Sequence, residues 1–211
     1  MVKRLFGTTI FFMFLVSLFV PRSVFALEEL KLSMELWNRY TATIQNNAWT
    51  KRQFSLERGY LGLEPKLTDK ISGRFTIDIY TDNKGDYKEA AGLKLKYAYL
   101  DFNGLIPIPD SKVSLGLVKH YFGFIYDWDY TTIEKSFEDV ESVVKSTDYG
   151  MVLFGYLPMG LGEYALSMLN GEGYSKGGSS VNTQPSYEGN IRLIPLPGFQ
   201  LGGSVLHTMD S

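Results

Sequence analysis

The 211-residue chain contains no cysteine, so neither disulfides nor thiolate metal sites hold it together. Histidine is nearly absent too: only His120 and His207 occur, and no His/Asp/Glu cluster has metal-ligand spacing. Each histidine reads as a surface or rim residue, and no metal or other cofactor is expected. No dense basic patch appears, which argues against nucleic acid as a partner. Catalytic motifs are missing as well. Ser167 and Ser186 are available hydroxyls, but neither sits in a recognisable nucleophile motif, so no catalytic residue is assigned and an enzyme is not expected. Gly171, Gly173, Gly177 and Gly178 follow a strand candidate but open no helix, and read as an outer loop rather than a phosphate cradle.

Long hydrophobic runs are scarce. The first, Ile10 to Val20, follows Lys3-Arg4 and precedes Val24-Phe25-Ala26, the pattern of a secretory leader with cleavage expected after Ala26. A membrane helix needs about 20 apolar residues, and Pro21-Arg22 ends this run sooner. The leader holds three cations and no acid; removing them leaves 18 basic against 23 acidic residues, a net charge of −5. A second apolar stretch, 149–171, is interrupted by Pro158, by Gly150, Gly155, Gly160 and Gly162, and by Glu163. An acid at the centre of a membrane helix costs about 2.5 to 3.5 kcal/mol. Two strands around a Pro-Met-Gly-Leu-Gly turn fit this stretch better than one helix.

What is abundant is alternation. In 71–80, Ile71, Gly73, Phe75, Ile77 and Ile79 take one parity and Ser72, Arg74, Thr76, Asp78 and Tyr80 the other. Successive side chains of an extended chain point to opposite faces, so this strand has one oily and one charged side. Leu30 to Ile44 repeats the pattern, broken at Asn38. Further strands are expected over 54–64, 93–102, 112–119, 149–157, 163–170, 186–194 and 199–207, about nine in all, the later ones with less clean parity. In 93–102 the phase changes at Tyr97-Ala98, through either a bulge or an oversized apolar residue facing the lumen. The 14 Tyr, 14 Phe and 21 Gly suit strands whose faces meet different solvents, but would also suit a soluble sandwich.

Connection lengths separate the two. Turns at 65–70, 103–111, 158–162 and 195–198 are short, whereas 45–53, 81–92, 120–148 and 171–185 are generally longer and polar. Short turns on one side and long loops on the other mark an outer-membrane barrel. The expected fold is therefore all-β, an antiparallel transmembrane β-barrel of porin-like type, following a signal peptide at 1–26. The third outer loop, 120–148, is long enough to require a role. Ile133, Phe137, Val140 and Val144 recur at helical spacing within 132–145, and this segment is the expected constriction. Its charged candidates are Glu134, Lys135, Glu138, Asp139 and Glu141. Pore-lining candidates are Arg58, Arg74, Lys94, Lys96, Lys119 and Arg192 as a basic track, with Asp78 and Glu64 opposing them, because fixed charges in a narrow pore decide which ions enter.

Four stretches, "SLERGYLGLEPKLTDKISGRFTIDI" (55–79), "VSLGLVKHYFG" (113–123), "TIEKS" (132–136) and "STDYGMVLFGYLPMGLGEYALSMLNGEGY" (146–174), together resemble the phosphate-selective porin O and P family of Gram-negative outer membranes. Lys119, Phe122 and Gly123 match that family's pattern; Leu117, Tyr121 and the pair Glu134-Lys135 depart from it. The resemblance implies a water-filled channel for passive diffusion of small hydrophilic solutes or inorganic ions, with anions such as phosphate as the family's substrates, in contact with outer-membrane lipid and assembled as a homotrimer. Because bacterial single-chain barrels have even strand numbers, a ninth strand followed by His207-Thr208-Met209-Asp210-Ser211 is expected to be the N-terminal part, 27–211, of a longer, incomplete barrel. An exported soluble β-rich binding or structural protein is the alternative, with a membrane-barrel enzyme behind it.

Overall fold

The computed structural model describes residues 27–81, 91–123, 126, 137–176 and 184–208. The expected leader (1–26), positions 82–90 of the second outer connection, and Glu134 and Lys135 lie outside the described residues. The chain is all-β. Among the described residues nine strands form one antiparallel sheet in the order β1 to β9, each paired with its sequence neighbour. They are β1 (Glu29–Gln45), β2 (Ala48–Thr68), β3 (Ile71–Thr81), β4 (Ala91–Asn103), β5 (Ser111–Lys119), β6 (Thr147–Leu157), β7 (Gly162–Leu169), β8 (Ser186–Leu196) and β9 (Phe199–His207). The sheet is open, with β1 and β9 at its edges. Among the described residues no helix is long and apolar enough to cross a membrane.

Residues 149–171 form β6 and β7 around a single 3-10 turn at Pro158–Gly160, in which Met159 takes a positive φ of 59°. Glycine supplies Gly160 and Gly162 in the same turn, where a side chain would be strained. The first outer connection differs from expectation. Positions 48–53 belong to β2, and β1 turns into β2 through Asn46 and Asn47 alone, both at positive φ. That is the conformation of a tight hairpin turn, which asparagine tolerates better than most residues. Likewise 65–68 is strand rather than turn. Pro65 has no N–H to donate, and it sits where the β2–β3 ladder skips from Leu63↔Phe75 to Lys66↔Ser72.

The phase change in β4 is a bulge. Thr76 pairs with Tyr97 but Ile77 pairs with Leu95, leaving Lys96 as the extra residue. Lys96 and Tyr97 both end up buried, at 6% and 2% exposure, and the inward parity passes from Lys94 and Lys96 to Tyr97, Tyr99 and Asp101. The two faces then differ in kind. On one lie Leu32, Met34, Leu93, Leu115, Leu166, Ile191 and Val205, all exposed. On the other lie the buried Thr76, Lys96, Asp101, Ser114, Ser167, Glu188, Asn190 and Arg192, together with the aromatic cluster Tyr97, Tyr99, Tyr121, Tyr126 and Phe154. In a water-soluble sheet this burial is reversed.

Candidate functional site

The polar face carries the candidate site. It is built by strands that put a charged or aromatic residue at every second position and by a loop folded over them. The strand β8 is the clearest case: Ser186, Glu188, Asn190 and Arg192 all face inward and are buried, while Tyr187 and Ile191 are exposed.

Glu188, Asn190 and Arg192 each meet a partner from the segment that follows β5. His120 Nδ1 lies 2.6 Å from Glu188 Oε2, and the Tyr121 amide donates to Glu188 Oε1 at 3.1 Å. The Gly123 amide donates to Ser204 Oγ at 2.9 Å, and Asn190 Nδ2 donates to the Gly123 carbonyl at 3.2 Å. The Tyr126 hydroxyl donates to Glu163 Oε1 at 2.9 Å, and the Arg192 guanidinium stacks 3.3 Å from the Tyr126 ring centroid. Arg192 Nη1 is 3.3 Å from the same Glu163 oxygen. Residues 120–123 and 126 thus lie against the inner face, in contact with β7, β8 and β9. Their anchors are buried polar groups, whose loss of a partner costs about 1–3 kcal/mol each.

Residues 120–123 and 126 lie against the inner face, and 132–136 of the segment expected to form the constriction lie outside the described residues. Of that segment the described residues contain one turn, α1 (Phe137–Val140), with Phe137 and Val140 exposed rather than packed. Glu138 is half-buried beside Gly123, and Glu141 is exposed; Asp139 belongs to α1. His120, expected at a surface or rim, is buried at 9% exposure against Glu188.

The remaining candidates divide between two hollows. Towards the short-turn end, a cavity of about 400 Å³ is bordered by Glu64, Arg74, Tyr99, Asp101, Lys112 and Lys119, among others. In it, Arg74 Nε lies 3.8 Å from Glu64 and donates to Thr76 Oγ1 at 3.2 Å, with its guanidinium 4.7 Å from the Tyr97 ring centroid. Lys112 Nζ donates to Asp101 Oδ2 at 2.8 Å, and Ser114 Oγ donates to Asp101 Oδ1 at 2.5 Å. Towards the long-loop end, a cavity of about 200 Å³ gathers Arg58, Asp78, Lys94 and Lys96 with Lys145 and Tyr174. Here Lys94 Nζ sits 3.9 Å over the Tyr80 ring, and Lys96 Nζ sits 4.5 Å over the Tyr60 ring while donating to the Tyr60 hydroxyl at 3.1 Å. The Tyr174 hydroxyl, from the loop after β7, donates to Asp78 Oδ2 at 3.1 Å. Burial, and then the Asp78 charge, push the Tyr174 phenol above its ordinary value.

Arg192 joins neither hollow; it is committed to the loop anchor. Sequence reasoning missed Glu163, Glu188, Tyr121 and Tyr126, which hold the loop, and Asp101 and Lys112, which form an ion pair bordering the larger cavity. The alternation Ser186, Glu188, Asn190, Arg192 was the available signal for part of that set. Among the described residues no group of three or more His, Cys, Asp or Glu side chains could hold a metal ion. Comparison with family models, with curated proteins and with solved structures finds no match to this chain.

Proposed function

We propose that the sheet is part of the wall of an outer-membrane β-barrel channel, through which small hydrophilic solutes or ions diffuse. The observation that carries this reading is the opposition of its faces. Leu32, Met34, Leu93 and Val205 are each about seven-tenths exposed on one face, at 71%, 72%, 69% and 70%, while Glu188, Lys96 and Arg192 are buried on the other. An apolar surface spanning nine strands far exceeds the patches that soluble monomers tolerate, and hydrocarbon is the solvent that suits it. Carboxylates and guanidinium groups on the opposite face need water or one another, which a lumen with an inward loop supplies.

Two further features support the reading. An export leader ending near Ala26 would deliver the chain to the bacterial envelope, and the resemblance to phosphate-selective porins points to the same compartment. Backbone groups in hydrocarbon must all be paired, so in the membrane the edges of β1 and β9 have to find strand partners.

The experiment is fractionation followed by conductance. The expected result is recovery with the outer membrane, heat-modifiable migration on gels and ohmic channels in planar bilayers. Release as a soluble periplasmic protein would instead favour a β-rich binding or structural role, and folded, membrane-inserted material without conductance would remove the channel.

A further inference from the structure

We infer that this wall favours dipolar solutes, bearing one cationic and one anionic group a few ångströms apart, over simple anions. The inference rests on the channel reading and names the solute class of the same lumen.

The basic track read from the sequence does not stand alone in the structure. In the larger cavity Arg74 is 3.8 Å from Glu64 and Lys112 is 2.8 Å from Asp101, and at its rim Lys66 is 3.1 Å from Glu28 and 2.6 Å from Asp69. Arg74, Lys112 and Lys66 thus each have a carboxylate beside them. Seen from the pore, such a pair is a dipole. Its potential falls off faster with distance than that of a single charge, so a passing chloride or potassium ion is drawn to one pole and repelled by the other. Fixed pairs therefore remove most of the preference for one sign of charge that an unpaired basic wall would impose.

A zwitterion meets the same wall differently, because its two groups can lie antiparallel to a pair, anion against cation and cation against anion. All four charges then have an opposite neighbour, and the solute keeps in the lumen part of the electrostatic stabilisation it had in water. The smaller cavity extends the same chemistry by other means. Lys94 and Lys96 rest on the rings of Tyr80 and Tyr60 with the Asp78 carboxylate nearby, so a solute carboxylate finds ammonium groups while its own ammonium finds ring faces and a carboxylate. From there Tyr97 leads on, with Lys96 5.7 Å and Arg74 4.7 Å from its ring centroid. Cation, ring and carboxylate thus alternate along the inner face of β2, β3 and β4 from one cavity to the next.

The test uses the mature chain reconstituted in phospholipid vesicles and planar bilayers, with glycine as the zwitterion, glycolamide as its neutral isostere and acetate as the anion. Glycine is expected to enter vesicles severalfold faster than glycolamide and faster than acetate, with a reversal potential near zero in a potassium chloride gradient. Glu64→Gln, at a half-exposed position, is expected to move the reversal potential towards anions and reduce the glycine advantage; Arg74→Gln is expected to move it towards cations and reduce the advantage equally. Glycine entering no faster than glycolamide, or a strong anion preference in the unsubstituted channel, overturns the inference while leaving the channel intact. Folded, inserted protein that conducts nothing overturns the channel reading itself, and the inference falls with it.

Discussion

Glu188 Oε2 lies 2.6 Å from His120 Nδ1, and the same carboxylate accepts the Tyr121 amide through its other oxygen. A single side chain on β8 therefore holds two successive residues at the point where the chain leaves β5. Its exposure is 4%, so it has no water to fall back on. Replacing Glu188 by Ala strands the buried Tyr121 amide, at about 1–3 kcal/mol, and removes the carboxylate that faces the His120 ring. The expected outcome is a loop that leaves the inner face: faster proteolysis within 120–148 and a larger unit conductance. Unchanged conductance with a stably folded variant would mean that the loop does not constrict the passage. Glu188→Gln retains an acceptor for the Tyr121 amide and is expected to fall between the two.

Tyr174 tests the second crossing. Its hydroxyl donates to Asp78, and burial together with the carboxylate raises its pKa above the ordinary phenol value of about 10. The folded state thus holds this proton more tightly than the unfolded chain does. Stability from the contact is fully present below pH 10 and is lost as pH climbs towards the raised folded value. Absorbance titration of the native protein against Tyr174→Phe should show one phenol fewer ionising late. If the difference spectrum titrates at the ordinary value, the contact does not form in solution.

Much of the architecture was legible because the two-residue period is coarse and local. In β3 every residue from Ile71 to Tyr80 declares its face, whereas the phase change at Tyr97-Ala98 left a bulge and an oversized inward residue both open, and only the pairing Thr76↔Tyr97 next to Ile77↔Leu95 decides for a bulge at Lys96. The 45–53 connection was misread because Thr50, Lys51, Arg52 and Gln53 are polar on both parities. Strand pairing there extends past the alternating region, and polarity on both faces looks like loop. The anchors of the loop were hidden for a different reason. Helical spacing of Ile133, Phe137, Val140 and Val144 is a local signal, whereas the contact from Tyr121 to Glu188 joins residues 67 apart and leaves no trace in either neighbourhood.

Gly162 offers a test of the β6–β7 turn. Its φ is 145°, and a Cβ there would collide with the Arg192 carbonyl oxygen of the paired strand. Backbone strain at such positions costs about 1–3 kcal/mol, and the collision adds displacement of β8. Gly162→Ala is expected to lower the unfolding midpoint of the refolded protein and to loosen the Glu163–Arg192–Tyr126 anchor one residue away. Gly198→Ala, with positive φ but nothing within 4 Å of the added carbon, should show the strain without the collision, and so the smaller loss. Equal losses at the two sites would mean that β8 yields freely at Arg192.

The outward face can be probed one residue at a time. Leu166 lies in β7 between Leu153 and Gly189, and 58% of it is exposed. Phe199, also exposed, begins β9 beside the tight turn at Pro197 and Gly198. If hydrocarbon covers this face, a lysine at mid-strand must desolvate its ammonium or drag water inward, at about 2–4 kcal/mol, while one near the interface costs about 0–1 kcal/mol. Leu166→Lys should therefore destabilise the protein in lipid bilayers far more than Phe199→Lys, as measured by guanidinium unfolding followed through tryptophan emission. In a water-facing sheet the ammonium stays hydrated at both positions, and surface substitutions of this kind change stability by only about 0.5 kcal/mol either way. A difference that follows depth along the strand is thus the signature of lipid, and two small, equal effects would assign the apolar face to water or to a protein partner.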